Sequence, residues 1–307
     1  MTDGHWTFEE IAPGEAHRHR IVAEVHSTKS AFQHIQVLET ESYGRGLFLD
    51  GRIQHVAADE YIYSESMVHP AMFLLEGSCE RALCIGAGPG GVVRELLRYP
   101  GVGEVVQVEI DTSVIDVARE HLPHVGTEHW SDPRVRLRIA DVLEYLADEP
   151  GRFDLVVNDL SEPLPGSPAS EVFSARSVGL MRSSLSERGL YVSWCGSVGP
   201  RSSEMAARIG AVVGQVFPHA YRYVTHPQSY GTVWMTVIGS NLPLDPLGAD
   251  VAEIDRHLAE RMTGTLRLYD GVTHHHMFHV PKDVREAVAH VDPEQPIQLL
   301  VDGGALA

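Results

Sequence analysis

Three apolar runs in this sequence end in carboxylates. They close as "VEID", "IAD" and "NDLSEP", which supply Glu109, Asp111, Asp141, Asp159 and Glu162. Because an open α/β sheet binds its ligand at the carboxyl ends of its strands, we expect these side chains to line one crevice. Carboxylates there accept hydrogen bonds from ribose hydroxyls and from an adenine amino group, and they attract positive charge. The pattern therefore predicts a site for a cationic adenine nucleoside.

A glycine-rich turn precedes these runs, in "CIGAGPGGVVREL" at residues 84–96. Gly86, Gly88 and Gly90 fall between a predicted strand and a predicted helix, where glycine permits positive φ and a close approach of the backbone to a ligand. Such a turn alone is weak evidence for a nucleotide. A dinucleotide places its pyrophosphate on a helix N-terminus, and a crevice lined by carboxylates repels that group. The two features together favour an adenosylsulfonium donor, and an NAD-linked oxidoreductase is the least favoured enzyme class.

The elements that must position these residues fall into two regions. Up to about residue 70, β-branched and aromatic residues alternate in part, which predicts a small antiparallel sheet. A stretch with helical spacing follows, and from residue 81 apolar runs alternate with helical segments. That alternation predicts a parallel, doubly wound α/β sheet. We predict an N-terminal β-strand domain at residues 1–68 and an α/β domain at residues 69–307.

Composition narrows the class of partner. The chain has 307 residues with 42 acidic against 24 basic side chains, a net charge of −18, which argues against a nucleic-acid partner. No apolar run is long enough to span a membrane, and the N-terminus does not have the pattern of a secretory signal. Three scattered cysteines indicate neither a disulfide framework nor a zinc site. We therefore expect a cytoplasmic protein that binds neither nucleic acid nor membrane.

Eight segments in one order resemble the spermidine synthase (polyamine aminopropyltransferase) family over nearly the whole chain. They are "SAFQHIQVLET", "GRGLFLDGRIQ", "DEYIYSESMVHP", "CIGAGPGGVVREL", "VEIDTSVIDVAREHLP", "DPRVRLRIAD", "FDLVVNDLSEP" and "LRLYDGVTHHHMFHVP". The resemblance implies a small N-terminal antiparallel β-domain on a Rossmann-like, methyltransferase-type domain, in a homodimer. It also implies decarboxylated S-adenosylmethionine as the donor substrate and a diamine as the acceptor.

The same resemblance assigns roles to single residues. Gln33 and Gln54 would line the donor site with the glycine-rich turn, Glu109 would hold the ribose and Asp141 the adenine. Asp159 would be the catalytic acid–base residue. Its chemistry fits, since a carboxylate can take the proton of an attacking nucleophile and orient its lone pair, although Asp also caps turns. The residues that would face the acceptor are Tyr63, Glu162 and Tyr269, and His274 matches a histidine of the family's C-terminal motif.

The chain also departs from the family pattern. Pro89 stands where the family has an aspartate in "GGGDGG", Glu162 replaces an aspartate and Leu268 a tyrosine, while Phe32 and Trp194 replace a tyrosine and a glutamine. Pro89 removes a carboxylate from the substrate-binding part of the site. Without that charge an ammonium loses its partner and a carboxylate is no longer repelled. We therefore expect S-adenosylmethionine itself as the donor, with transfer of its 3-amino-3-carboxypropyl or methyl group, while aminopropyl transfer from the decarboxylated donor stays open.

Several alternatives stay open at this point. The acceptor is a small-molecule nucleophile, with an amine among the candidates. A small-molecule methyltransferase and a non-catalytic paralogue that binds a nucleoside or polyamine are the rival functions. Residues 163–170 form either a gate over the site or an ordinary surface loop. The histidines at 274–276 and 279, read as part of a strand, are expected to be structural, with no metal site.

Overall fold

The computed structural model describes residues 5–76, 79–126, 128–148, 151–163, 169–292 and residue 297. Two sheets organise this part of the chain. The first has five strands and the second has seven, with helices on both faces of the second. The cavity described below lies where the two sheets meet.

The N-terminal sheet is an antiparallel meander, as the sequence predicts. Its strands, in spatial order, are β1 (His5–Ala12), β2 (Glu15–Lys29), β3 (His34–Thr40), β4 (Gly44–Leu49) and β5 (Arg52–Val56). Asp50 and Gly51 join β4 to β5 with positive φ of 50° and 77°, the backbone of a tight hairpin turn that matches strand twist. That turn fixes the register of β5 and therefore the direction in which Arg52 and Gln54 project.

The second region alternates helices and strands. The helices are α1 (Glu60–Leu74), α2 (Gly91–Leu97), α3 (Thr112–His121), α4 (Val142–Asp148), α5 (Ala169–Val172), α6 (Ala175–Ser183), α7 (Glu204–Val216), α8 (Val251–Arg261), α9 (Gly271–Phe278) and α10 (Lys282–His290). The strands are β6 (Arg81–Gly86), β7 (Glu104–Glu109), β8 (Val135–Ile139), β9 (Phe153–Asp159), β10 (Leu185–Ser197), β11 (His219–Thr225) and β12 (Trp234–Ser240). No helix in the described ranges is long and apolar enough to cross a membrane.

The large sheet is mixed, whereas the sequence predicts a parallel one. Its order is β11-β12-β10-β9-β6-β7-β8, and β12 runs antiparallel to both of its neighbours. The other pairs, from β10 to β8, are parallel. The reason is the connection from β11 to β12, which is too short for a crossover and can only return as a hairpin.

Strand order places the ligand crevice. β6 is the first strand of the sheet in the chain, and its neighbours are β7 and β9, so the order reverses at β6. The carboxyl ends of β6, β7 and β9 therefore meet at the switch point, where α/β sheets bind ligands. Helix α1 packs against α2 and β10 and contains the predicted domain boundary at residue 68.

The histidine-rich stretch near the C-terminus lies on a helix, which corrects the strand that we predict there. Residues 274–276 belong to α9, whose N-cap Asp270 accepts a hydrogen bond from the Thr273 backbone N–H at 2.7 Å. An aspartate at this position satisfies a donor of the first helical turn. That signal was present in the sequence, in "YDGVTHHH", where an aspartate precedes the helical residues.

Candidate active site

A cavity opens at the switch point, between the strand ends of the large sheet and the N-terminal sheet. Most of the side chains that the sequence predicts for the site line it. These are Gln33, Gln54, Tyr63, Gly86, Gly88, Pro89, Glu109, Asp141, Asp159 and Glu162. The strand ends thus converge as the alternation predicts, although Gly86 and Asp159 are 73 residues apart in the chain.

The glycine-rich turn forms the floor of the cavity. Gly86 has a φ of 77°, and a Cβ there would lie 2.7 Å from the Asp159 carbonyl oxygen. A Cβ at Gly88 would lie 2.6 Å from a Val114 methyl group. Both positions therefore need glycine for close packing, and Gly86 needs it for its positive φ as well. Gly90, by contrast, does not line the cavity: it is the left-handed N-cap of α2 and packs against His129. We correct its predicted role from ligand contact to turn geometry.

Asp111 supports the site from behind, which also corrects its predicted role. It is 2% exposed and does not line the cavity, because its carboxylate caps α3 by accepting from the Ser113 N–H at 3.0 Å. The second oxygen accepts from Ser30 Oγ at 2.6 Å and from Gln33 Nε2 at 3.0 Å. Asp111 therefore fixes the Gln33 amide, which does line the cavity.

Glu109 and Asp141 stand at neighbouring strand ends. Glu109 is the last residue of β7 and accepts from the Asp111 backbone N–H at 2.9 Å. Burial raises the pKa of Glu109 to about 7. Asp141 follows β8 and accepts from the Leu143 N–H at 2.7 Å, at the start of α4. Each carboxylate is held by a backbone donor, which leaves further lone pairs for a ligand in the cavity.

Asp159 is the residue with the geometry of a base. It ends β9, and its Oδ1 accepts a 2.5 Å hydrogen bond from the Tyr63 hydroxyl of α1. Burial raises the pKa of Asp159 to about 7; the Tyr63 hydrogen bond opposes this rise and Glu109 adds to it. Burial and the same carboxylate raise the pKa of Tyr63 well above its ordinary value, so the phenol stays neutral and donates. A carboxyl group poised near pH 7 is suited to proton transfer.

Glu162 does not stand alone in the cavity wall. Arg52 of β5 binds it with two donors, Nε to Oε2 and Nη2 to Oε1, the latter at 3.0 Å. Arg52 Nη2 also lies 2.9 Å from Glu9 Oε1 of β1. Burial raises the pKa of Glu9 to about 7, although the guanidinium beside it acts in the opposite direction. We call Glu9, Arg52 and Glu162 the ion triad.

Aromatic rings close the cavity on the side of the reversed strand. Trp194, Tyr230 and Trp234 line it, with ring centroids 5.0 Å apart for Tyr230 and Trp234 and 5.7 Å apart for Trp194 and Trp234. The Trp194 indole N–H donates to the Leu160 carbonyl at 2.8 Å. The Tyr230 hydroxyl donates to the Gln54 carbonyl at 2.6 Å. The rings therefore present mainly apolar surface to the cavity.

Tyr269 lies outside this cavity, although we predict it to face the acceptor. It is 3% exposed, stacks on His69 and bonds through its hydroxyl to His274 Nδ1 at 2.6 Å. His274 is fully buried and reaches the Pro246 carbonyl through Nε2 at 2.6 Å. This network anchors α9 to the core, so Tyr269 stabilises the fold and contacts no cavity surface in the described part of the chain.

The loop predicted at residues 163–170 falls largely outside the described residues, which omit 164–168. Two of the residues at which the chain departs from the family pattern lie in different surroundings. Phe32 lines the cavity and is 46% exposed. Leu268 lies outside the cavity, and its backbone N–H donates to Glu65 Oε2 at 2.8 Å. The described part of the chain contains no group of three or more histidine, cysteine, aspartate or glutamate side chains that could hold a metal ion.

Four residues that line the cavity or its ion triad were not predicted from the sequence: Glu9, Arg52, Tyr230 and Trp234. One signal for Arg52 was available: it lies two residues before Gln54, and alternate residues of a strand share a face. Nothing local indicates its partner, because Glu162 is 110 residues away in the chain.

Comparison with known proteins identifies relatives over almost the full length. Residues 60–246 match the family model of the spermine/spermidine synthase domain, and residues 5–56 match that of the spermidine synthase tetramerisation domain. The polyamine aminopropyltransferase of Synechococcus sp. (strain JA-3-3Ab) is 32% identical over 292 residues, covering 92% of this chain and 93% of the relative. That of Saccharolobus solfataricus is 32% identical over 285 residues, with 93% of each chain covered.

Solved structures agree on the fold. A spermidine synthase in complex with the transition-state analogue AdoDATO superposes with a TM-score of 0.84 at 24% identity, covering 94% of this chain and 96% of the other. Spermidine synthase from Thermotoga maritima gives 0.83 at 23% identity, with coverage of 94% and 95%.

Proposed function

The chain belongs to the spermine/spermidine synthase family, and from that premise we propose that it transfers an aminopropyl group from decarboxylated S-adenosylmethionine to a small-molecule amine. One observation carries the proposal. The Asp159 carboxyl is partly buried, has a pKa of about 7 and bonds to Tyr63 in the cavity that also holds Glu109 and Asp141. The curated relatives named above are polyamine aminopropyltransferases. Their activity supports aminopropyl transfer over transfer of the 3-amino-3-carboxypropyl or methyl group, which the sequence leaves open.

Asp159 acts as the base of a direct displacement. The lone pair of a neutral amine attacks the methylene carbon of the propyl arm next to sulfur. The carbon–sulfur bond breaks, and its electron pair stays on sulfur, which leaves as the neutral thioether methylthioadenosine. The new ammonium gives one proton to the Asp159 carboxylate, and the Tyr63 hydroxyl keeps that carboxylate oriented. Alignment of nucleophile and carbon contributes by removing translational freedom.

The donor is held by the strand ends of the large sheet. Glu109 accepts from the ribose hydroxyls, Asp141 accepts from the adenine amino group, and the Gln33 and Gln54 amides border the same cavity. The carboxylates also offset the positive sulfonium charge, which is lost during the reaction. Glycines 86 and 88 let the backbone approach the nucleoside.

Pro89 does not leave that part of the cavity without a carboxylate. Glu60 of α1 lines it, and a Cβ at Gly91 would lie 3.5 Å from Glu60 Oε2. Glu60 is 9% exposed and pairs with Arg94 at 3.0 Å. We therefore favour the decarboxylated donor, whose ammonium can approach Glu60, over S-adenosylmethionine, whose additional carboxylate would face it.

The test compares the two donors directly. The protein is incubated with decarboxylated S-adenosylmethionine or S-adenosylmethionine, each with an aliphatic amine, and the nucleoside products are separated and weighed by mass spectrometry. We expect methylthioadenosine from the decarboxylated donor, and a loss of about 100-fold or more in kcat for Asp159→Asn. S-adenosylhomocysteine as the product would establish methyl transfer, and full activity of the Asp159→Asn variant would exclude Asp159 as the base.

We also propose that the protein works in the cytoplasm as a homo-oligomer. The family model matched by residues 5–56 is described as a tetramerisation domain, which supports assembly through the N-terminal sheet. All three cysteines are free and buried, as suits a reducing compartment. Light scattering on purified protein distinguishes the homodimer that we predict from a tetramer or a monomer.

A further inference from the structure

Four aromatic rings surround the space next to Asp159. The ring centroids of Tyr63 and Tyr230 are 6.2 Å apart, and those of Tyr230 and Trp234 are 5.0 Å apart. The Trp194 centroid lies 5.7 Å from that of Trp234. Both ends of this series are bonded to the base: the Tyr63 hydroxyl donates to Asp159, and the Trp194 indole N–H donates to the backbone carbonyl of the residue that follows it. All four side chains line the cavity, and we call them the aromatic box.

The register of the large sheet places Trp194 beside the base. Strands β9 and β10 are parallel with Ser193 opposite Asn158, so the next residues of the two strands, Trp194 and Asp159, are also side by side. Because side chains alternate along a strand, neighbours of this kind project from the same face of the sheet. Trp194 is 2% exposed, and its ring packs against Phe173 at a centroid distance of 5.1 Å. A fixed indole therefore stands next to Asp159, where the family pattern has a glutamine.

Three of the four rings have their polar hydrogen bonded to the protein. The Tyr63 hydroxyl donates to Asp159 at 2.5 Å, the Tyr230 hydroxyl to the Gln54 carbonyl at 2.6 Å, and the Trp194 N–H to a backbone carbonyl at 2.8 Å. A substrate in the box therefore meets mainly the carbon surface of the rings. The face of a tyrosine or tryptophan ring attracts a cation within about 6 Å of its centroid. That attraction needs no N–H group, so alkylated ammonium ions bind to aromatic rings as well.

The charges around the box favour a cation inside it. Several carboxylates line the cavity, and no lysine or arginine side chain of the described residues does. Burial raises the pKa of Tyr230 well above its ordinary value, and the carboxylates of Asp159, Glu162 and Glu9 add to this rise, which shows that they act on this ring. Glu9 and Glu162 also keep lone pairs that Arg52 does not use. The rings thus supply contact surface in a negative potential.

A short diamine has the length to reach from the base to the far rings of the box. Five single bonds of about 1.5 Å separate the two nitrogens of 1,4-diaminobutane, so its extended chain spans roughly 6 Å. The steps between neighbouring rings of the box are of the same size, 6.2 Å from Tyr63 to Tyr230 and 5.0 Å from Tyr230 to Trp234. With its reacting amine at Asp159, the acceptor places its second nitrogen among Tyr230, Trp234 and Trp194.

We propose that Trp194 is a specificity-determining residue: with the other rings of the aromatic box it binds the second, non-reacting ammonium of the acceptor through ring surface, so that the site uses N-alkylated diamines as well as unalkylated ones. This inference rests on the proposed function and deepens it by naming the acceptor class. The class is a primary amine whose other end is an ammonium, with or without alkyl groups on its nitrogen.

The first test gives the wild-type protein a matched pair of acceptors, 1,4-diaminobutane and N,N-dimethyl-1,4-diaminobutane, with decarboxylated S-adenosylmethionine as donor. Methylthioadenosine release gives kcat/KM for each amine. We expect dimethylation to lower kcat/KM by less than about tenfold. A loss of about tenfold or more would overturn the inference, because that is the effect of removing a hydrogen bond made by a charged group. Absence of methylthioadenosine with both amines would instead contradict the proposed function.

The second test replaces the indole. Trp194→Gln introduces a carboxamide oxygen that favours an ammonium with three N–H groups, while Trp194→Phe keeps an aromatic ring. We expect the ratio of kcat/KM for the dimethylated amine to that for the unmethylated amine to fall by about fivefold or more in Trp194→Gln and to change little in Trp194→Phe. Trp130→Gln is the matched control, because Trp130 packs against Arg119 outside the cavity and its removal should leave the ratio unchanged.

The ratio separates a role in specificity from a structural role. An unchanged ratio in Trp194→Gln, with an equal loss for both amines, would show that the indole only supports the fold and would overturn the inference. Should Trp194→Gln fail to fold, the wild-type comparison decides alone.

Discussion

Replacing Tyr63 by phenylalanine should move the pH dependence of the reaction without abolishing it. The Tyr63 hydroxyl donates to Asp159 Oδ1 at 2.5 Å and lowers the pKa of that carboxyl, which burial holds at about 7. A hydrogen bond to a charged group contributes about 1.5–3 kcal/mol. Since one pKa unit corresponds to about 1.4 kcal/mol, the variant's Asp159 should titrate about one to two units higher.

The consequence for the rate can be stated at each pH. A base acts when deprotonated, so a higher pKa lowers activity at low pH and leaves it unchanged at high pH. With a shift of one unit, the ratio of wild-type to variant kcat/KM is about tenfold well below pH 7, about fivefold at pH 7, and close to one above about pH 9. Taking the ratio cancels the protonation of the amine substrate, which is common to both proteins.

The assay is methylthioadenosine release over a pH series, with Tyr61→Phe as the control. Tyr61 lies on the same helix and packs its ring against Arg267, outside the cavity, so its removal should leave the profile unchanged. A wild-type to Tyr63→Phe ratio that is constant with pH would refute the reasoning, because the hydroxyl would then act on packing or alignment and not on the pKa of Asp159.

Three further expectations follow from the same geometry. Glu109→Gln removes a ribose acceptor and a negative charge near the sulfonium, and calorimetry should show donor binding weakened by about tenfold or more, whereas unchanged binding would place the ribose elsewhere. Gly86 has a φ of 77°, and a Cβ added there would lie 2.7 Å from the Asp159 carbonyl oxygen, so Gly86→Ala should lower the free energy of unfolding by more than about 1 kcal/mol. Gly179→Ala, inside α6, should not, because nothing lies within 4 Å of a Cβ at that position. Equal stabilities of the two variants would contradict the close packing at Gly86. The pKa values of Asp159 and Glu109 rise to about 7 on folding, so the folded state holds protons that the unfolded chain releases from about pH 4. The stabilisation from these groups should therefore be lost as pH rises through 7. Urea unfolding at pH 5 and pH 8 measures this, and a higher free energy of unfolding at pH 8 would contradict it.

The converging strand ends could be predicted from the sequence because the evidence for them is local. In β7 and β9 a short apolar run is followed directly by an acidic residue. About eight residues therefore predict both the strand and the carboxylate at its end. The parallel-sheet rule then brings Glu109, Asp141 and Asp159 together without knowledge of any contact. The glycine-rich turn could be predicted for the same reason, because the glycines themselves indicate the backbone conformation of the turn.

What the sequence did not reveal depends on partners far away in the chain or on competing local roles. Asp111 and Glu109 are both acids at the end of one strand, and only the N-terminus of α3 decides that Asp111 turns away to cap it. Tyr269 carries the right chemistry for a site, but its bond to His274 holds it in the core. The neutralisation of Glu162 by Arg52 joins two sheets across 110 residues, and no periodicity reports such a pair.

The most direct test of the central claim follows the three-carbon arm itself. Decarboxylated S-adenosylmethionine with a ¹³C-labelled propyl arm is mixed with a slight excess of protein and an aliphatic amine, and the products of one turnover are examined by mass spectrometry. Direct displacement with Asp159 as base predicts the label in the lengthened amine, unlabelled methylthioadenosine in equal amount, and neither product in the same time with Asp159→Asn. Label that stays with the nucleoside, or equal transfer by the Asp159→Asn variant, would contradict the account.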